Sequence, residues 1–438
     1  MNSSVRAIAE SCKRASRVLS SSTSERRAAA IRAAAQLIEQ NKSSLLTTNA
    51  QDLDAARHML ESGEITAATF ERLRLTDKKI AEMTRSMLAV AELTDPVGRV
   101  LQRTELDANL VLEKITCPLG VLAIIFEARP DAVTQISALG LKSANAVILK
   151  AGREVERTAH ALVEIIRKAL TKCEIPEDAV TMVTGRESVQ KLLGMSDIVD
   201  MVIPRGSRQL VEFVQTNTRI PVLGHAEGVC HIYVDSAADP EMALAIIDDS
   251  KTDYPAACNA AETVLVHQQI AEPFLPKLAE HLHSRHVKLR GCERTRAILA
   301  SQTVETVADN EWNTEYSDLV LAVRVVNSMD TAIEHIYAHG SSHTETIVTQ
   351  DSVAAESFLA QVDAAGVFHN VSTRFADGYR YGFGAEVGIS TSKLHARGPV
   401  GLDGLTTYKY VLRGAGQLAR SYQGPNATAF THKKLRVD

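Results

Sequence analysis

The chain has 438 residues, of which 45% are hydrophobic and 23% charged, and its formal net charge is −5. This composition belongs to a globular protein with a core large enough to need no cross-links, and it excludes a disordered chain. With 48 basic against 53 acidic side chains, no field attracts nucleic acid or a membrane surface, so neither is expected as a partner.

At roughly 150 residues per domain, the length suggests about three domains. The longest purely apolar run, residues 121–126, is too short to cross a membrane. The N-terminal stretch lacks the apolar segment of a secretory signal, and a cytoplasmic location is expected. The six cysteines (Cys12, Cys117, Cys173, Cys230, Cys258 and Cys292) are scattered without CxxC pairs or zinc-like spacing. They read as reduced thiols, with no metal site expected.

Taken in order, the first hundred residues read as helices. Val5, Ile8, Cys12, Ala15 and Leu19 recur at helical spacing. Ser22 and Glu25 have the spacing of a capping box ahead of Ala28, Ile31, Ala35 and Ile38. Asp77 opens another helix, stopped by Thr94-Asp95-Pro96. Strands are then predicted over 110–117 and, after Pro118, over 121–126. Further strands are predicted at 146–150, 179–183, 198–203 and 221–223, with helices at 131–143, 154–170, 187–193 and 207–216 between them. Short continuous apolar strands alternating with amphipathic helices predict a doubly wound parallel sheet. A second series follows: strands at 229–234, 263–266, 319–326 and 346–348, with helices at 242–249, 329–337 and 353–362. The segment from about 372 onward is rich in Gly, Arg and Tyr and has little periodicity; its glycines favour an ordered, site-lining loop over a loose tail.

Cys258, in Asp253-Tyr254-Pro255-Ala256-Ala257-Cys258-Asn259-Ala260, lies on a loop of small residues between a predicted helix and a predicted strand. A thiolate there is suited to attack a carbonyl or acyl phosphate; the competing reading is a small core cysteine. No GxGxxG follows a strand in the first half. Two glycine turns, Lys150-Ala151-Gly152-Arg153 and Pro204-Arg205-Gly206-Ser207, nevertheless lead from strands toward helices, where free amides meet anions. Both also read as ordinary turns. Arg129, in Phe126-Glu127-Ala128-Arg129-Pro130-Asp131, grips an anion or merely precedes a helix start. His225 and Glu227, in Gly224-His225-Ala226-Glu227-Gly228, sit at the expected boundary of the two α/β series and suit a general base or a structural role equally. The C-terminal arginines, Arg374 and Arg397 among them, suit an anionic substrate.

These residues carry a resemblance. The blocks 126–131, 204–207, 224–235, 253–262, 340–344 and 372–399 resemble the aldehyde dehydrogenase superfamily, in its branch that reduces an acyl phosphate of glutamate, over nearly the whole chain. The resemblance implies an aldehyde dehydrogenase-like α/β fold, with two doubly wound domains plus a small β oligomerisation lobe. It implies an NADPH-binding domain over 1–227, with 106–117 contributing to the lobe, a catalytic domain over 228–390 carrying Cys258, and a segment 391–438 returning to the lobe. It implies NADPH-dependent reduction of L-glutamyl 5-phosphate to L-glutamate 5-semialdehyde, with release of phosphate, through a Cys258 thioester in proline biosynthesis. Loop amides with Asn259 would stabilise the oxyanion. Lys150, Gly206, Ser207 and Glu315 would hold NADPH/NADP. Arg129, His225, Arg374 and Arg397 are assigned to the substrate. In place of the glutamate base of hydrolytic members stands His225, a departure that fits a reductase, which need not activate water; the superfamily's oxyanion asparagine near 126–130 is also missing. A homodimer or higher homo-oligomer follows, with glutamate 5-kinase as a further partner. The alternatives are an acylating dehydrogenase using another donor, such as a coenzyme A thioester, and a catalytically silent binding protein.

Overall fold

The computed structural model describes residues 4–224, 227–300 and 304–437. They divide into two compact units. The first comprises Met1–Leu223, Gly384–Gly388 and Val400–Asp438; the second comprises Gly224–Phe383 and Ile389–Pro399. Late in the chain the backbone therefore changes unit several times, rather than once near residue 390.

The first unit is built on a four-stranded parallel sheet. Its order is Val180–Met182, Ala146–Ala151, Val121–Phe126 and Met201–Arg205. Every side chain of Val121–Phe126 is buried, because helices cover both faces of such a sheet. Helix Val5–Ser20 contributes Ala9 and Cys12 to the core formed by Val121, Ala123, Ile148 and Val202. Each fully buried Val, Ile or Leu contributes about 1.5–3 kcal/mol relative to exposure. Helix Ser24–Gln40 starts one residue later than its capping-box spacing suggests. Thr23, not Ser22, is the N-cap and accepts from the Arg26 amide, while the Ser22 hydroxyl donates back to Leu19 O at 2.6 Å.

The same unit carries an antiparallel sheet ordered Thr406–Arg413, Leu110–Pro118, Val100–Asp107 and Lys433–Leu435. Thr406–Arg413 is an edge strand, and along it Tyr408, Tyr410 and Leu412 are exposed.

The second unit is a seven-stranded parallel sheet. Its order is Glu305–Thr306, Lys288–Gly291, Val320–Val326, Ala261–His267, Cys230–Val234, Thr344–Val348 and Gly366–His369. Its core includes Ile232, Val264, Phe274, Leu278 and Val323. Among the described residues, no helix is long and apolar enough to cross a membrane.

In the first unit, Glu127, Lys150, Gly206 and Ser207 lie at the C-terminal ends of the parallel strands, the usual binding edge of a doubly wound sheet. In the second unit, Gly228, Cys258, Asn259, Glu315 and Ser341 all precede strands, and therefore lie at the N-terminal edge.

Candidate active site

Helix Pro240–Thr252 ends immediately before the loop that carries Cys258, and strand Ala261–His267 begins just after it. Within the loop, the Ala257 amide donates to Tyr254 O and the Ala260 amide to Ala257 O. These tight turns suit small side chains. Cys258 is partly exposed. Its backbone is packed from below: the buried Cys230 thiol donates to Cys258 O at 3.3 Å, and Gly228 lies against the Cys258 backbone so closely that no β-carbon fits there.

The loop is cross-braced by a segment more than a hundred residues away in sequence. At its start, Asp253 Oδ2 accepts from Arg374 Nε at 3.1 Å and from an Arg380 Nη at 3.0 Å. The two guanidiniums hold the Asp253 carboxyl below its ordinary range, Arg380 most strongly. After Cys258, the Asn259 amide donates to Ala376 O at 2.9 Å and to Arg374 O at 3.5 Å. The side-chain amide expected to face an oxyanion is thus engaged with backbone carbonyls of this segment. Arg380 also donates to Arg374 O at 2.7 Å.

Glu315 approaches from the segment ahead of Val320–Val326. Its Oε2 accepts from the Gly228 amide at 2.9 Å. Burial pushes its carboxyl upward and the Gly228 hydrogen bond opposes that rise. Ser341 Oγ accepts from the Val229 amide at 2.9 Å, fixing the residue beside Gly228. The second unit therefore brings together Cys258, Asn259, Arg374 and, through Gly228, Glu315. Arg397 is bound elsewhere, with one Nη on Asp363 Oδ1 at 2.6 Å. His225 lies outside the described residues.

In the first unit, Lys150 Nζ is half-buried and donates to Ala151 O at 2.7 Å. Burial lowers its pKa, with Glu156, Glu154 and Glu127 opposing the shift. Ser207 is the N-cap of helix Arg208–Thr216, its hydroxyl accepting from the Leu210 amide. Its own amide donates to Glu127 Oε2 at 2.9 Å. A carboxylate thus sits where a helix N-terminus favours an anion. Gly206 packs against that carboxylate, and Gly152 lies against Glu154 with no room for a β-carbon. Glycine turns approached closely by neighbours and a desolvated cation at the C-terminal edge of a parallel sheet fit the phosphate and ribose end of a dinucleotide. Arg129 is exposed and its guanidinium makes no hydrogen bond among the described residues.

Sequence reasoning missed Gly228, Asp253 and Arg380 as parts of one assembly. Asp253 and Arg380 stand in blocks it singled out, but only the fold pairs them. The buried pair Lys251–Glu262, at the two ends of the loop, was missed as well; its signal was two opposite charges flanking a run of small residues.

A family model described as aldehyde dehydrogenase family matches residues 2–297. The chain belongs to that family, one of nicotinamide-dependent oxidoreductases. Its curated relatives include the gamma-glutamyl phosphate reductases of Cyanothece sp., 51% identical over 98% of this chain and 97% of the relative, and of Natronomonas pharaonis, 47% identical over 99% of each. The crystal structure of gamma-glutamyl phosphate reductase from Thermotoga maritima superposes with a TM-score of 0.92 at 39% identity, covering 95% of this chain and 100% of that one. Within the family, the chain stands among the gamma-glutamyl phosphate reductases, enzymes of glutamate-5-semialdehyde formation in proline biosynthesis.

Proposed function

We propose that this enzyme reduces L-glutamyl 5-phosphate to L-glutamate 5-semialdehyde with NADPH, through a thioester on Cys258. The observation that carries this reading is the partly exposed Cys258 on a small-residue loop braced at Asp253 and Asn259 by the 374–380 segment. The Cys258 thiolate attacks the acyl carbon, the carbon–oxygen bond to phosphate breaks, and phosphate leaves. When bound, the nicotinamide supplies the hydride that turns the thioester carbon into the aldehyde and returns the sulfur as thiolate. Both steps place negative charge on the acyl oxygen, and amides of the Cys258 loop stabilise it. Asn259 is assigned to holding the loop, because its Nδ2 already serves two carbonyls.

Lys150, Gly206 and Ser207 bind the phosphate and ribose groups of NADPH, and Glu315 a ribose hydroxyl. Glu127 would exchange its hold on the Ser207 amide for solvent as the cofactor phosphate arrives. Arg374 meets an anionic group of the substrate, as do Arg129 and His225, whereas Arg397, engaged with Asp363, is left out of the assignment. The first unit is the cofactor-binding part and the second the catalytic part. The antiparallel sheet carries the contacts of a homodimer or larger homo-oligomer, supported by the exposed face of Tyr408, Tyr410 and Leu412. A cytoplasmic location and glutamate 5-kinase as a partner belong to the same reading.

The deciding experiment is the reverse reaction. Glutamate 5-semialdehyde and NADP are supplied with and without inorganic phosphate, for wild type and Cys258→Ala. Phosphate-dependent NADP reduction, lost in the variant, is the expected result. Turnover indifferent to phosphate would point to another acyl donor or to hydrolysis.

A further inference from the structure

Beneath the Cys258 loop lies a pair of charges that the proposed chemistry does not use. Lys251 is in the last turn of helix Pro240–Thr252 and Glu262 is in strand Ala261–His267, so the two bracket the loop. Both side chains are wholly buried, with Nζ and Oε2 2.7 Å apart. Glu262 Oε1 is buried without a hydrogen-bond partner. An apolar pair would fill this space at less desolvation cost, so the charges need a reason.

The surroundings supply one. Glu262 is faced by Lys251, Glu315 and Tyr316, with the Ser317 amide also favouring its charged form. Lys251 is faced by Glu262, Asp318 and Cys230, and its charge also favours ionised Glu315. Glu315 in turn holds the Gly228 amide, and Gly228 lies on the Cys258 backbone. Through its charge, the Lys251–Glu262 pair thus acts on Glu315, and from there a hydrogen bond and a close packing contact lead through Gly228 to the Cys258 backbone. Burial pushes the Glu262 carboxyl up to about 7 against the pull of Lys251.

We propose that Lys251 and Glu262 are positioning residues that fix the Cys258 loop and the Glu315 segment in one register, and thereby set the reactivity of the thiol. This rests on Cys258 being the nucleophile. Lys251 carries the role because its ammonium attracts both carboxyls, Glu262 at 2.7 Å and Glu315, which holds the Gly228 amide.

The test compares Lys251→Met/Glu262→Met with wild type. Removing both charges at similar volume avoids leaving one buried charge unpaired. The readouts are kcat and KM for glutamate 5-semialdehyde, and the rate of iodoacetamide alkylation at Cys258 against pH, mapped by mass spectrometry. The expected result is a folded protein whose kcat falls at least tenfold with KM within twofold, and whose alkylation rate at Cys258 changes more than fivefold. Lys251→Arg, which keeps the charge, should retain at least a third of wild-type kcat. Wild-type kcat and alkylation in the folded double variant would overturn the proposal. If the double variant does not fold, Glu262→Gln decides: a displaced alkylation pH profile supports the role, and a superimposable one overturns it. Cys258→Ser is the control for the underlying reading, since turnover retained there removes the nucleophile assignment itself, independently of the pair.

Discussion

A β-carbon built on Gly228 would stand 2.7 Å from Cys258 Cα and 2.6 Å from its carbonyl carbon. These are backbone atoms, so no side-chain rotation relieves the collision. Gly228→Ala should therefore displace the Cys258 loop and lower kcat about a hundredfold, the order of loss expected when reacting groups move by about an ångström. Steady-state kinetics beside a thermal melt will separate this from unfolding. A variant with wild-type kcat would mean that the loop tolerates displacement.

Lys150 gives a prediction about cofactor choice. Lys150→Ala should raise the KM for NADPH by about 10- to 100-fold, the value of roughly 1.5–3 kcal/mol for a charged hydrogen bond. The KM for NADH should rise less, because NADH lacks the 2′-phosphate. Equal increases for both cofactors would place Lys150 away from that phosphate.

The edge strand Thr406–Arg413 exposes Tyr408, Tyr410 and Leu412 at 47%, 61% and 56%. An edge strand with an apolar face invites another chain. Tyr410→Asp should shift the protein to a smaller species in size-exclusion chromatography with light scattering. An unchanged mass would exclude this face as the contact.

His335 makes stability depend on pH. It is buried, and one Nη of Arg324 lies 2.8 Å from its Nδ1. Burial first, then His231, Arg324 and His339, push its pKa from 6.5 to about 2. The folded value is below the unfolded one, so below pH 6.5 the unfolded chain takes up a proton that the folded one refuses. This contribution is complete above about pH 6.5 and is lost as pH falls, by up to about 1.4 kcal/mol per pH unit. His335→Leu should flatten the urea-midpoint profile between pH 6.5 and 5. A slope equal to wild type would show that other groups govern it.

The parts of the fold legible in the sequence are those whose physics is local. Strand Val121–Phe126 was read at its full extent because all six residues are buried and Pro118 and Glu127 bound it. Helix Lys42–Glu61 fell within the stretch read as helical but received no bounds of its own. Its buried residues include Asn49 and Asp52, which dock by hydrogen bonds: Asn49 Nδ2 donates to Leu73 O, and Asp52 Oδ2 accepts from the Thr158 amide and hydroxyl. Hydrophobic periodicity does not see such contacts. Helix Gln268–Ser284 was hidden by its internal Pro273 and Pro276, which read as breakers. Strand Thr406–Arg413 is mostly exposed and is defined by its pairing with Leu110–Pro118, nearly three hundred residues earlier.

The site divides in the same way. Cys258 was legible because a cysteine among small residues at a helix-to-strand junction is a local pattern. Its bracing was not, since Asp253 meets Arg374 and Arg380 only once the chain has folded. The carboxylate of Glu127 at the Ser207 amide likewise joins residues eighty apart.

The placement of Cys258 ahead of its strand has an electrostatic consequence. Helices Pro240–Thr252 and Met329–His339 both end at that edge of the sheet, so their negative poles, not their positive ones, are nearest. Helix dipoles there oppose the accumulation of negative charge instead of assisting it. Charge relief is then left to the loop's own hydrogen-bond donors and to cations fixed on the loop, such as Arg374 on Asp253, rather than to a helix terminus. Engineering a new acyl donor into this scaffold is therefore a problem of loop conformation before it is one of side-chain identity.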